Sequence, residues 1–253
     1  SALIGLAAGA VWFLASRDTP EAHPSVAPAE LTLIQDGIPK SAVVQSSGAM
    51  SSWIAILSSG TVWILSGAYF CFGYVAWIFF SWFFLYLAKV RGLDLKSSAF
   101  YATLPFLAMA VCSPLGGAIS DALTRRFGSR AGRCSVAVVG FGLAAVFLFF
   151  GSSAQDVRVA SFVLAGGAGS LYLSQSAFWS ISADLGGKSS GSVSGVMNMA
   201  NQIGGMITAT LTPVVAGQFG WTVGFQVAAA VAVFGAAAWF FVNPAAVAAP
   251  QRR

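Results

Sequence analysis

Ser176 and Trp179 stand three residues apart in SLYLSQSAFWSISADL, a spacing that puts both on one face of a helix. A hydroxyl accepts and donates hydrogen bonds, and an indole adds an N–H donor and a flat apolar plate. That pair can stack on and hydrogen-bond a sugar ring. Further along, GSVSGVMNMANQIGG carries Ser194, Asn198, Asn201 and Gln202, and steps of four and three place the first three on one helix face. Tyr74 lies near the middle of an apolar run, where its phenol needs a partner. All these groups are neutral. They can recognise a solute, but they include no nucleophile–base pair and no metal-ligand cluster, so enzyme activity is not expected and neither a metal nor a cofactor is called for. Each has a structural alternative. Trp179 also suits a packed or interfacial aromatic. The asparagines suit interhelical hydrogen bonds worth about 0.6 kcal/mol, the role favoured for Asn201.

A second cluster is charged. In GGAISDALTRRFGSRAGR, residues 116–133, four arginines (Arg125, Arg126, Arg130, Arg133) crowd into nine residues of a chain that is only 8% charged. Gly116 and Gly117 permit close helix approach. Asp121 precedes Arg125 by four residues, a favourable helical pair spacing, and it can also face the positive end of a neighbouring helix. A segment built this way can lock two helices together and release them.

The elements that must position these residues are membrane helices. The 253 residues are 57% hydrophobic with a mean hydropathy of +0.78, and 8% charge falls far below the roughly 25% of soluble domains. Nucleic acid is a poor explanation for the +5 net charge, because the basic residues lie between apolar runs. A span needs about 20 apolar residues. Residues 61–87, 97–121, 157–183, 190–217 and 222–242 meet that length, and 133–151 comes close. Pro105 and Pro114 should bend the second of these spans, and Gly166, Gly167 and Gly169 suggest a flexible or closely packed turn in the fourth. Residues 2–15 would reach about 21 Å and read as the tail of a helix whose start is missing. Residues 16–52 are polar and Pro-rich. PAELTLIQDG should form a short helix opening at Pro28, SSWIAILSS an interfacial turn, and His23 a solvated loop position. The three cysteines have neither disulfide nor metal spacing. Nine basic residues (Arg17, Lys40, Arg125, Arg126, Arg130, Arg133, Lys188, Arg252, Arg253) fall on one side of the spans, and four (Lys89, Arg91, Lys96, Arg158) on the other. The richer side is expected to be cytoplasmic, with KVRGLDLKS running against that trend.

The pattern from Gly117 through Asp121, Arg125 and Arg126 to Arg133 resembles the cytoplasmic loop signature of the major facilitator superfamily, in the weaker copy between its eighth and ninth helices. RDTPEAHPSVAPAEL, SWFFLYL and GSVSGVMNMANQIGG resemble segments of the superfamily's anion:cation symporter family. Phe84 stands where that family has proline, so the end of that helix is expected to be straighter. Phe178 stands where sugar-acid members have threonine in a Ser-x-Thr-Trp that contacts substrate. The two asparagines of the fifth span are three apart rather than four.

The resemblance implies an all-α polytopic membrane protein whose six complete transmembrane helices form the C-terminal bundle of a twelve-helix fold. It divides the chain into a truncated sixth helix (1–15), a cytoplasmic central loop (16–59), the bundle (60–243) and a cytoplasmic tail (244–253). It implies transport of an organic anion such as a sugar acid across the inner (plasma) membrane, with protons, by alternating access against a missing N-terminal six-helix half. On this reading Asn198, Trp179, Ser176, Tyr74 and Asn201 face substrate, and Gly117, Asp121, Arg125, Arg126 and Arg133 form a conformational gate. A neutral-solute or drug transporter of the same superfamily is one alternative, and a non-transport membrane subunit is another. No carboxylate or arginine falls mid-membrane in 61–242. The family's cation and titratable acid sit mainly in its first six helices, so this segment is expected to supply half a cavity.

Overall fold

The computed structural model describes residues 2–17, 19–37 and 49–243, which divide into two units, Ser1–Ser46 and Ser47–Arg253. The sequence expectations for Asp18, Lys40, Arg252, Arg253, the tail 244–253 and part of the central loop lie outside the described residues, as does the side chain of Lys188. In the first unit, α1 (Ala2–Ala15) ends in carbonyls that need donors. Arg17 Nη1 donates to Leu14 O at 3.1 Å and Ser16 O at 2.7 Å. The backbone N–H of Ser25 donates to His23 Nδ1 at 3.2 Å, which leaves Nε2 to donate to Ala15 O at 3.0 Å. His23 is a half-exposed loop residue that also caps the preceding helix. The second helix, α2 (Pro28–Gly37), opens at Pro28 as the sequence predicts.

The second unit runs α3 (Ala49–Ser58), α4 (Gly60–Ser81), a single turn α5 (Phe83–Leu85), α6 (Leu95–Phe127), α7 (Ser135–Ser153), α8 (Val157–Tyr172), α9 (Gln175–Gly186), α10 (Ser190–Phe219) and α11 (Trp221–Trp239). Among the described residues, five stretches are long and apolar enough to cross a membrane: Gly60–Ser81, Leu95–Phe127, Arg130–Ser153, Val157–Gly186 and Trp221–Trp239. The expected sixth, α10, has 30 residues and ample length, but Asn198, Asn201, Gln202 and its serines and threonines lower its hydropathy. Its polarity marks it as the helix least suited to face lipid all round.

Glycines decide how closely the helices approach. Gly73 of α4 lies against the Asn201 backbone of α10, and Gly204 of α10 lies against Phe70 O and, at 2.9 Å from where a Cβ would stand, Tyr74 N of α4. The two backbones interlock reciprocally. Gly235 of α11 admits Phe141 of α7, and a Cβ on Gly169 of α8 would sit 2.9 Å from Ala108 Cβ and 3.0 Å from Cys112 Sγ of α6. Since apolar burial drives little association in lipid, such contacts carry much of the cohesion. Phe72, Phe141, Phe178 and Trp239 fill the centre, with the Phe178 and Trp239 ring centroids 4.7 Å apart. Phe178, where sugar-acid transporters have threonine, is thus a core residue. The prolines of α6 sit within one uninterrupted helix.

Past α4, Trp82 leaves helical geometry (φ −124°, ψ −20°), and Tyr86–Val90 forms a π-helical turn. The turn delivers Arg91, whose Nη2 donates to Ala154 O and Gln155 O, both at 2.8 Å. These carbonyls lie at the C-terminal end of α7, the negative end of its dipole. One of the charges that runs against the topological trend is therefore a helix cap. Asp94 and Asp156 cap α6 and α8. Hydrogen bonds from Ser97 and from the Val159 N–H hold their carboxyls below the usual range. Both caps are complete above the unfolded-state pKa and fade as pH falls through the lowered folded values.

Placing leucine at Gly204 forces its side chain into the α4 backbone, which cannot yield as a side chain would. We expect a loss of about 1–3 kcal/mol or more, read as a lowered unfolding midpoint in detergent, whereas Gly217→Leu, with open space around it, should leave the midpoint within error.

Candidate functional site

The fourth span, Val157–Gly186, tightens where α8 meets α9. Leu173 (φ −58°, ψ −31°) and Ser174 (φ −80°, ψ −13°) keep right-handed helical geometry, but the N–H groups of Ser174 and Ala177 donate to Leu171 O and Ser174 O, three residues back. Ser174 Oγ donates to Leu171 O at 2.6 Å, and Ser174 N–H donates to the same carbonyl at 3.1 Å. Neighbouring helices reach this turn through glycine. Gly116 of α6 abuts the Leu173 backbone, and a Cβ on Gly140 of α7 would stand 2.7 Å from Ser170 O and 3.4 Å from Ser174 N. The glycines expected to form a close turn are those of the neighbours as much as Gly166, Gly167 and Gly169 themselves.

Around this turn the polar groups divide by direction. Gln175 Nε2 donates to the Tyr69 hydroxyl at 3.3 Å, while its Oε1 is buried without a partner. Ser176 Oγ is likewise enclosed and unpartnered, 3.7 Å from the Cβ position of Gly117. Trp179 is 43% exposed, with its ring edge-on to Tyr69 at 6.2 Å. On α10, Asn198 is exposed and makes no hydrogen bond among the described residues. Its neighbours on the same face turn inward. Ser194 Oγ pairs with Ser182 Oγ at 3.0 Å, and Asn201, 8% exposed, donates from Nδ2 to Tyr69 O at 3.4 Å. The shared face is therefore the border of the packed surface, with Asn198 on its open side. Tyr74 is buried, and its phenol meets Thr212 and Thr208, which hydrogen-bond each other at 3.1 Å. Tyr69 is the residue that joins the cluster, touching Phe178 and Trp179 by its ring, Gln175 by its hydroxyl and Asn201 by its carbonyl. Sequence reading singled out Tyr74 in this span and passed over Tyr69. The missed signal was Gln175, a polar residue mid-span that needs a hydroxyl opposite.

The charged segment connects to the same span. Arg130–Cys134 forms a π-helical turn ahead of α7. It folds back tightly enough that Gly132 contacts Thr124, with Gly128 turning at φ +86°. Asp121 makes no ion pair with Arg125, the expected partner. Among the described residues the one ion pair joins Arg133 to Asp184, at the other end of α9. Asp184 was not singled out from sequence, because fifty-one residues separate it from its partner. Arg133 is 17% exposed and Asp184 49%, so the pair is worth about 1 kcal/mol or less. That strength suits a latch that opens. Two of the residues expected to form a gate thus lie against α9, Gly117 beside Ser176 and Arg133 paired with Asp184.

The family model of the Major Facilitator Superfamily matches residues 1–209 and, in a second match, 126–253. A protein of Cupriavidus necator named "Probable sulfoacetate transporter SauU" is 30% identical over 90% of this chain and 53% of its own length. The "Ascorbate transporter, chloroplastic" of Arabidopsis thaliana is 29% identical over 91% of the chain and 43% of the relative. The human "Sodium-dependent phosphate transport protein 1" is 29% identical over 96% and 53%. The chain belongs to the major facilitator superfamily and groups with its anion:cation symporter type. It is an all-helical, multi-pass membrane protein, and it spans about half the length of the curated relatives it matches.

Hydrogen exchange on the full-length protein tests the latch. With Asp184→Asn, amides 128–134 should exchange several-fold faster than in the unaltered protein, while those of α11 keep their rates. Unchanged exchange at 128–134 would remove the latch.

Proposed function

We propose that this chain is the C-terminal half of a secondary active transporter that moves an organic anion, a sugar acid or similar small carboxylate, together with protons. The carrying observation is the open side of α9 and α10, where Trp179 and Asn198 stand exposed while Gln175, Ser194 and Asn201 are tied into the bundle. Exposed polar side chains within a membrane span suit a solute that completes their hydrogen bonds. The printed names of the relatives, for sulfoacetate, ascorbate and phosphate, support an anionic solute.

On this reading the walls built here are neutral and fix orientation, and the cation and the proton carrier come from a partner six-helix half. Rocking of the two halves alternates access around the fixed site, and the Arg133–Asp184 latch opens and closes with it. The protein is read as a transporter and not an enzyme, in the inner membrane with the central loop and C-terminus cytoplasmic.

The full-length protein in proteoliposomes should show saturable uptake of one or more of hexuronates, sulfoacetate and ascorbate, increased by an inward proton gradient. Asn198→Ala and Trp179→Ala should each raise KM about tenfold, near 1.4 kcal/mol of lost recognition. Uptake driven by sodium and selective for inorganic phosphate would replace the organic-anion reading. KM unchanged in both variants would remove these residues from the site.

A further inference from the structure

Outside the site, α7 and α11 pack on each other where Phe141 enters beside Gly235. Each leaves an unbroken apolar stripe outside that seam. On α7 the exposed residues Val139, Leu143, Val146 and Phe150 recur every three or four positions, and on α11 so do Val233, Phe234, Ala237, Phe240 and Phe241. No polar residue interrupts either stripe. Both run to the end of the bundle that carries the charged turn. There Phe240 and Phe241 stay 65% and 70% exposed, and Arg130 Nη2 reaches Phe240 O at 3.4 Å. Arg126 lies on the same fold-back, its guanidinium 5.6 Å from the exposed Phe127 ring. Asp184 is engaged by Arg133, and Asp121 forms no ion pair. Arg125, Arg126 and Arg130 therefore have no carboxylate partner among the described residues, beside an apolar surface that lipid chains can cover.

We infer that this end of α7 and α11 binds an anionic phospholipid, with Arg130 and Arg126 on its phosphate and its acyl chains along the two apolar stripes. The occupant follows from the pairing of features. A soluble anion would use the arginines and leave the phenylalanines exposed, whereas a zwitterionic lipid would cover the stripes without needing uncompensated cations. Basic clusters at the cytoplasmic ends of membrane helices attract anionic headgroups by about 1 kcal/mol per residue. The inference needs only that the bundle is embedded in a bilayer, and it is independent of the transported solute.

The test is native mass spectrometry of the delipidated full-length protein, titrated separately with phosphatidylglycerol and phosphatidylcholine. The first phosphatidylglycerol should bind about twenty-fivefold more tightly, and Arg126→Gln with Arg130→Gln should remove most of that preference, roughly fivefold per arginine. Arg130→Lys, which keeps the charge, should retain most of it, and Arg91→Gln at the opposite end should leave it unchanged. Should the double variant fail to fold, the unaltered protein still decides the matter, because the preference must shrink as salt is raised. Equal binding of the two lipids, a preference that survives loss of both arginines, or one indifferent to salt would overturn the inference.

Discussion

The turn at Leu173 and Ser174, where the fourth span tightens, is enclosed by close packing. Gly116 and Gly140 bring two neighbouring backbones against it, and any side chain at Gly116 would run into Leu173. Beyond the turn, α9 places Gln175 against the Tyr69 hydroxyl and Trp179 on the open side. Asp184 at its far end meets Arg133. The polar wall and the charged turn thus meet the two ends of one short rod.

The chemistry of the wall is that of recognition without charge. Away from their ends, the described spans carry amides, hydroxyls, indoles and thiols and no charged side chain, and many of these groups are used inside the bundle. Ser182 and Ser194 join α9 to α10, and Thr208, Thr212 and Tyr74 join α10 to α4. Such bonds are individually weak, near 0.6 kcal/mol, so specificity falls to the few groups left open. The lower hydropathy of α10 has the same origin: one helix concentrates the polar groups that the others exclude.

The architecture was legible in the sequence because apolar length alone sets membrane helices, and the helix ends lie within a few residues of the apolar runs. The superfamily was legible through Gly117, Asp121 and the arginines at their spacing. Other features were hidden for physical reasons. The tightened turn in the fourth span carries no proline, and it is enclosed by glycines of other helices, Gly116 and Gly140, that no local pattern connects to Leu173. Trp82 and the π-helical turn set the path by which Arg91 reaches Ala154, and nothing in the apolar run marks them. Spacing favoured Asp121 with Arg125, whereas the fold-back at Gly128 and Gly132 turned Arg133 toward Asp184. The cap that His23 makes was hidden because its partner, Ala15 O, is a backbone atom that sequence does not distinguish.

The account's central claim is that the open sides of α9 and α10 line an aqueous chamber. Single cysteines at Asn198, Trp179 and, as a lipid-facing reference, Phe234 would be placed in full-length protein lacking Cys71, Cys112 and Cys134, then exposed in native membranes to a charged, water-soluble maleimide. The account predicts labelling at 198 and 179, slowed by transported anion, with none at 234. Labelling of 198 and 179 only by a membrane-soluble reagent, with 234 behaving the same way, would contradict it.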